Sequence, residues 1–473
     1  MKPLMLEEIR QAVRGRWVAR GGPMSVESVS TDTRTAGAGD LFIALRGERM
    51  DAHAFLSQAA EAGCAAAIVA LDADLPAGGG GFPGGLIGVG DTTKALGELG
   101  AFHRNSSAAT VVAVTGSNGK TTVKRMIHHI LSRRLVGSCS PKSFNNEIGV
   151  PLTLLGVSGR DDYVVCELGS NAPGEIAALS AMCRPDVAVI TCVSAAHLER
   201  LGSIEGVAAE KASILGSLSD RGLAVVWGDS ELLLRAVRGY RQRTVRFGAA
   251  EDADLRLTGH EPRGRAQRFG LNGRLWVELP LPGRHNAMNA MAAIAVAQRF
   301  GIDQDEAAGA LSDFDAGPMR LEWTEIGEGA VINDAYNANP SSVAAAGDVL
   351  AGAGGRRKVL IVGDMRELGE QAERLHRQTG AELAGKGIDL LIGVGSLGRY
   401  IAQGAAEAGL EAVEFDSVAS AAEAVARLLG EGDTVLVKGS RAMAMEALIA
   451  PIRAALDEGS GAEADEKSEG QSR

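Results

Sequence analysis

The stretch "VVAVTGSNGKTTVKRM", residues Val111 to Met126, decides how the rest of the chain is read. It opens as an apolar run of strand length, passes two glycines, and continues as the helical segment "KTTVKRMIHHIL". The long phosphate-loop pattern G-x-x-x-x-G-K-[ST] needs a glycine five residues before Gly119. Val114 stands there, and the nearest earlier glycine is Gly116. Read alone, the stretch is a long loop that lost a glycine, a chance match, or a shorter loop of another class. The strand–loop–helix context favours phosphate binding. Glycines let backbone amides approach phosphate oxygens, and a helix N-terminus adds free N–H groups and a favourable dipole. In such a loop, Thr115 to Thr121, Lys120 reaches the outer phosphates and Thr121 turns its hydroxyl to Mg²⁺. The motif alone says ATP or GTP.

Outward from this loop, the pattern is an α/β chain. "YVVCELG", "DVAVITCVS" and "GLAVVWGD" are further apolar runs separated by helical segments, the signature of a parallel sheet covered on both faces. Residues 253 to 282 interrupt the alternation with hairpin-like strands, expected as a small β insertion, before a helix from about Asn286 to Phe300. After "GPMRLEW" the alternation resumes with "AVINDAY", "KVLIVGD", "DLLIGVG" and "DTVLVKG", which predicts a second, Rossmann-like sheet. Ahead of the loop, short strands and a helix end in "LPAGGGGFPGG", too glycine-rich for an element interior. The expected division is therefore 1–88, a central nucleotide-binding domain 89–316, a C-terminal domain 317–457 and a disordered tail 458–473. A chain of 473 residues suits roughly three domains at ~150 residues each.

Composition removes several classes. A net charge of −11 argues against a nucleic-acid partner. No apolar run reaches the ~18 residues of a membrane span, and the N-terminus reads as an amphipathic helix rather than a signal peptide. The cysteines Cys64, Cys139, Cys166, Cys183 and Cys192 form no C-x-x-C pair and read as buried thiols of a cytoplasmic protein.

Three side chains downstream of the loop bear on the chemistry. Glu167 closes the strand "YVVCELG", where a carboxylate faces the ligand crevice. His197 follows "DVAVITCV", and Lys211 lies in "SIEGVAAEKASILG". Charge pattern alone makes Lys211 a solvated lysine. Phosphoryl transfer, however, needs hard-cation sites built from a few oxygen ligands and water.

Taken in order, "TGSNGKTT", "NNEIGVPLTLL", "ELGSNAPGEI", "SAAHLERLGSIEGVAAEKASIL", "GRHNAMNAMAAIAVA", "NDAYNANPSS", "IVGDMRELG" and "LVKGSRAMAMEAL" resemble the Mur ligases, ATP-dependent amide-forming enzymes of peptidoglycan synthesis. The resemblance runs from about Val29 to Leu448. That family uses the shorter T-G-x-x-G-K-T loop, so Val114 is expected under it. "NDAYNANPSS" and "GDMRELG" resemble the member that handles D-alanyl-D-alanine, and no D-N-P-R string of the member acting one step earlier occurs.

The resemblance implies roles position by position. Thr115, Gly116, Ser117, Asn118, Gly119, Lys120 and Thr121 hold ATP, with Asn289 at the adenine, Asp334 at the ribose and Arg320 at the phosphates. For Asn286, in the same string as Asn289, a helix-start role is the open alternative. Thr121, Glu167, His197 and Lys211, the last as a carbamate, form the metal sites for two Mg²⁺. Lys120, Lys211 and Arg320 carry the catalytic roles. "STDTRTAGAGDLFIALRG" resembles the uridine-diphosphate segment, offering Thr31, Asp32, Thr33, Arg34, Arg46 and Gly47, while Asn145, Asn146 and Glu147 face the muramoyl-peptide. Asp51, His53 and Phe55 read as structural. The implied substrates are UDP-N-acetylmuramoyl-tripeptide, with meso-diaminopimelate or lysine as its third residue, and D-alanyl-D-alanine. A monomer is the default. For the D-alanyl-D-alanine contacts, "GDMRELG" and "LVKGSR" suggest Asp364, Glu367 and Ser440. The rivals are another amide ligase of the family, which would lack "STDTRT", and a nucleotide-driven switch, which would use the longer loop and a strand-end Asp.

Overall fold

The computed structural model describes residues 1–47, 50–75 and 80–457. Part of the glycine-rich loop, residues 76–79, and the whole of the expected tail 458–473 lie outside the described residues.

The strand Thr110–Thr115 is the axis of the molecule. It runs parallel to Tyr163–Glu167 on one side and Val187–Ile190 on the other. Val112 and Val114 point into a core with Val123, Met126 and Ile127 of the helix Lys120–Leu131. Val111 and Ala113 point the opposite way, against Val150 and Leu154 of Gly149–Leu155 and Ile176 and Leu179 of Glu175–Cys183. A strand buried on both faces has no polar side, which is why this run is apolar throughout.

Strand order reverses at this point. Tyr163–Glu167 and Gly137–Cys139 lie to one side; Val187–Ile190, Leu223–Trp227 and Arg243–Gly248 lie to the other. Such a reversal opens a crevice beyond the carboxyl ends of the strands. The hairpin strands expected as an insertion extend this same sheet. Leu255–Arg263 pairs parallel to Arg243–Gly248, and Ala266–Leu271 and Leu275–Leu279 add antiparallel, making nine strands. The helix expected from Asn286 is Arg284–Arg299.

Besides a short pair of strands, Leu4–Met5 with Ser25–Val26, two larger sheets flank the central one. Near the N-terminus, five strands follow the order Arg16–Arg20, Gly85–Val89, Ala66–Ala70, Leu41–Ile43, Val29–Ser30, all parallel except the first pair. Beyond residue 320, six strands follow the order Glu322–Ile326, Gly329–Asp334, Asp433–Lys438, Arg357–Gly363, Leu390–Val394, Ala412–Phe415, with only the first pair antiparallel. The apolar core under Lys120–Leu131 and Arg284–Arg299 continues through Leu321, Ala338 and Val343 to Leu360 and Leu436 of this third sheet. The crevice is therefore walled by two sheets joined through one core. Of the cysteines, Cys64, Cys166 and Cys183 are buried as expected, whereas Cys139 and Cys192 are only half-buried. No helix among the described residues is long and apolar enough to cross a membrane.

Candidate active site

The loop between Thr115 and Lys120 turns so tightly that two positions admit only glycine. A Cβ on Gly116, at φ 146°, would lie 1.9 Å from Thr191 Oγ1, and one on Gly119, at φ 80°, 2.4 Å from Asn289 Oδ1. Gly119 ends the loop, and Lys120 begins the helix. Lys120 Nζ folds back to donate to Gly116 O at 2.7 Å, inside the loop's own curve. Burial lowers the pKa of Lys120, and nearby Glu167 works in the opposite direction.

Thr121 and Glu167 meet at the carboxyl ends of the strands. Thr121 Oγ1 donates to Glu167 Oε2 at 2.9 Å and accepts from Arg320 at 2.9 Å. Glu167 is 1 % exposed, and burial alone would raise its pKa; Lys124 and Lys120 overcome that and hold it below the usual glutamate value. Lys124 stands 3.1 Å from Glu167 Oε2 and donates to Lys142 O at 2.5 Å. Arg320 comes from the linker into the third sheet, and its guanidinium lies 4.1 Å over the ring of Tyr336.

Lys211 is fully buried on the helix Ile204–Ala212, so the solvated reading from charge pattern does not hold. Its Nζ donates to Ser170 Oγ at 2.7 Å. Burial first, and the charge of Lys120 second, lower its pKa to about 7. His197, in the left-handed region at φ 54°, has Nδ1 2.5 Å from Glu367 Oε2. The His197 ring holds the Glu367 carboxyl below its ordinary value.

No group of three or more His, Cys, Asp or Glu side chains gathers into a metal cage among the described residues. Mg²⁺ takes one or two carboxylates and completes its octahedron with phosphate oxygens and water. Glu167 with the Thr121 hydroxyl fits such a site.

The remaining expected residues divide. Asn289, 8 % exposed, donates to Asn286 Oδ1 at 3.0 Å beside Gly119, and Asn286 donates to Pro282 O at 2.7 Å. Asp334 pairs with Lys438 at 2.6 Å and accepts from Leu321 N at 3.3 Å, next to Arg320. The three residues of "NNE" separate: Asn145 donates to Glu167 Oε1 at 3.0 Å, Asn146 Oδ1 accepts from Gly149 N at 3.0 Å, and Glu147 opens onto a groove with Lys94 and Glu98. In the first sheet's loops, Asp32 pairs with Arg34 at 2.6 Å, Thr33 Oγ1 donates to Gln58 at 3.3 Å, and Gly47 N donates to Met50 O at 2.9 Å. Thr31 lies beside them, half-buried. Arg46 bridges Asp51 and Asp72. His53 is structural: it sits against Asp51 at 2.5 Å and accepts from Ala70 N at 2.8 Å. Asp364 Oδ1 accepts from Leu397 N and Gly398 N, both at 2.8 Å, and Ser440 Oγ accepts from Arg366 N at 2.9 Å.

The sequence does not single out Lys124, Ser170, Lys438 or Asn339, the partner of Asn118. Lys124 was legible: it lies four residues after Lys120, one turn along the same helix face. Asn339 before Pro340 with Ser342 marks a helix start, and the structure forms that capping box. Its contact across the crevice, Nδ2 to Asn118 Oδ1 at 2.8 Å, has no local signature.

Two family models match this chain, the Mur ligase middle domain over residues 114–297 and the Mur ligase glutamate ligase domain over residues 319–441. Among curated proteins, the UDP-N-acetylmuramoyl-tripeptide--D-alanyl-D-alanine ligase of Bacillus subtilis (strain 168) is 39% identical over 441 residues, covering 90% of this chain and 92% of that protein. Its counterpart in Escherichia coli (strain K12) is 39% identical over 447 residues, covering 92% and 95%. Among solved structures, MurF from Acinetobacter baumannii superposes with a TM-score of 0.86 at 32% identity, covering 96% of this chain and 99% of that one. MurF from Thermotoga maritima in complex with ADP gives 0.80 at 26% identity, covering 91% and 98%. The crevice with its short phosphate loop and the two matched domains define a ligase: the chain belongs to the Mur ligase family. Within that family it falls among the UDP-N-acetylmuramoyl-tripeptide--D-alanyl-D-alanine ligases.

Proposed function

We propose that the protein joins D-alanyl-D-alanine to UDP-N-acetylmuramoyl-tripeptide at the expense of ATP, giving the pentapeptide, ADP and phosphate. The observation that carries this reading is the convergence of Lys120, Glu167 and Arg320 about Thr121 at the seam of the two Mur ligase domains. Residues 1–88 hold the UDP end through Thr31 to Arg34, Arg46 and Gly47; 89–316 bind ATP; 317–457 bring Arg320, Asp334 and the amino substrate. The muramoyl-peptide runs past Asn145 and Glu147. The protein works as a cytoplasmic monomer.

The tripeptide's terminal carboxylate attacks the γ-phosphorus of ATP, ADP leaves, and an acyl phosphate forms. The D-alanyl-D-alanine amine then adds to the acyl carbon, and phosphate departs with the bond it held. The loop amides, Lys120 and Arg320 offset charge on the transferring phosphoryl group, the largest contribution a protein makes to such a step. Mg²⁺ at Thr121 and Glu167, with a second ion near His197 and Lys211, supplies further neutralisation when bound. Lys211 fits the role of carbamate: its amine, held near pKa 7 by burial, takes up CO₂ and releases a proton, leaving an anionic oxygen ligand. The third domain keeps amine and acyl phosphate together and away from water. Phosphate release that requires both the UDP-tripeptide and D-alanyl-D-alanine is the expected result; ATP turnover indifferent to both refutes the reading.

A further inference from the structure

Between the edge strand Gly137–Cys139 and the helix Gly149–Leu155 runs a short loop, residues 140–148. The central domain fastens it at three points. Ser140 Oγ accepts from Glu167 N at 3.0 Å. Lys142, at φ 45°, turns its carbonyl to Lys124 at 2.5 Å. Asn145 O accepts from Gly169 N at 2.8 Å, and its side-chain amide donates to Glu167 Oε1 at 3.0 Å.

Ser143 is fastened from the other side of the crevice. Its hydroxyl shares a hydrogen bond with the hydroxyl of Tyr336, just beyond the strand Gly329–Asp334 of the third sheet. Tyr336 is steadied within its own domain. Lys438 donates to Asp334 Oδ2 at 2.6 Å and to Asn337 O at 2.9 Å, one contact on each side of the tyrosine in the chain.

The ring of Tyr336 does separate work. The guanidinium of Arg320 lies 4.1 Å over it, and Arg320 donates to Thr121 Oγ1 at 2.9 Å. Thr121 donates in turn to Glu167 Oε2 at 2.9 Å. The contacts therefore close a circuit. It runs from Glu167 through Asn145 to Ser143, across to Tyr336, over its face to Arg320, and through Thr121 back to Glu167. A cation over an aromatic face is held only as well as the ring itself is held. A hydrogen bond at the tip of the phenol fixes that ring and makes its orientation depend on the loop.

We infer that Tyr336 is a positioning residue that couples the loop 140–148 to Arg320: its hydroxyl meets the loop at Ser143, and its ring sets the guanidinium. The inference rests on the ligase reading above, in which this loop faces the muramoyl-peptide and Arg320 the phosphates of ATP. Binding of the UDP-tripeptide then favours the arrangement of Arg320 that grips the nucleotide, and by linkage the nucleotide favours the tripeptide.

The test measures by calorimetry the affinity for a non-hydrolysable ATP analogue with Mg²⁺, with and without UDP-tripeptide. The ratio of the two affinities is the coupling factor, and because both are taken on one variant, an inactive fraction cancels. In the intact enzyme the UDP-tripeptide should tighten the analogue. Tyr336→Phe and Ser143→Ala should each lower the factor by about 2- to 10-fold, the range for one neutral hydrogen bond, and the double variant should lower it no further. Tyr336→Leu, which also loses the ring, should have a kcat about 2- to 30-fold below that of Tyr336→Phe, the range for a cation over an aromatic face. A factor near unity in the intact enzyme, an unchanged factor in Tyr336→Phe, losses that add in the double variant, or equal kcat in the Leu and Phe variants overturns the role of Tyr336 and leaves the ligase reading standing. Phosphate release that ignores the UDP-tripeptide in the intact enzyme overturns the ligase reading and the coupling with it.

Discussion

Arg320 donates to the hydroxyl of Thr121 at 2.9 Å, so a residue of the linker into the third sheet touches the second residue of the helix that follows the phosphate loop. The linker is shaped for this. Met319 and Leu321 on either side of Arg320 both have positive φ, 56° and 51°, and the guanidinium stacks over Tyr336. A planar fork stacked on a ring has no equivalent in lysine. Arg320→Lys should therefore lower kcat by about 10²- to 10³-fold, the usual loss for one donor to transition-state charge. Steady-state phosphate release checks this, and a kcat within a few-fold of the parent would remove Arg320 from the phosphoryl step.

Lys120 has a different signature. Its ammonium already lies inside the loop, 2.7 Å from Gly116 O, and the expected uridine contacts belong to another sheet. Lys120→Ala should abolish acyl-phosphate formation, measured by trapping with hydroxylamine. Calorimetric affinity for the UDP-tripeptide should change little. A large loss of that affinity would mean that Lys120 holds the sugar nucleotide instead.

Lys211 links the site to pH. Its native pKa is lowered to about 7 from 10.5. The unfolded chain therefore binds more protons than the native one between those values, so on this group's account stability rises with pH there. Below about pH 7 the folded protein bears the full cost of a buried ammonium. Lys211→Met should remove this dependence: in CO₂-free buffer, the variant's stability advantage should shrink by up to ~1.4 kcal/mol per pH unit as pH rises above 7. Urea unfolding across that range reads the slope, and equal slopes in both proteins would show Lys211 uncharged or unburied in solution. For the carbamate, Lys211→Ala should lose activity and partly regain it with added acetate or formate; no recovery would count against an anionic oxygen at this position.

The parts of this site that a reader of the sequence can see are those where one residue type solves a local problem. Gly116 and Gly119 mark a turn with no space for a side chain, and Glu167 ends an apolar strand. The rest depends on distance. Lys211 reads as solvated from charge pattern alone, yet the helix carries it against Ser170 with no exposure. Glu367 meets His197 only because two domains share a wall. The hairpin strands after Leu255 break the period of the α/β pattern, but nothing local says that they continue the same sheet; that follows from the pairing of Phe247 with Leu255. The resemblance supplied the roles of residues such as Asp334 and Asn289, which spacing alone leaves as a turn aspartate and a helix-start amide.

Asn339 separates a structural role from a functional one. Its side-chain oxygen accepts from Ser342 N at 2.9 Å, capping the helix Pro340–Ala351, while its Nδ2 donates to Asn118 Oδ1 at 2.8 Å in the phosphate loop. Asn118 in turn donates to Ser341 Oγ at 2.9 Å. The cap uses only the oxygen of this amide, while the bridge uses both ends, since Asn118 Nδ2 also donates to Asn339 Oδ1 at 3.3 Å. Asn339→Ala removes both and should lower stability by about 1 kcal/mol, the usual loss of a cap. Asn339→Asp keeps the capping oxygen, and a carboxylate suits a helix N-terminus, so the cap should survive. It loses the donor to Asn118 and sets two oxygens face to face, which should loosen the loop and raise KM for ATP several-fold. Thermal unfolding and ATP kinetics on the two variants separate the effects. If Asn339→Asp leaves KM for ATP unchanged, the amide pair across the crevice serves only to fasten the domains.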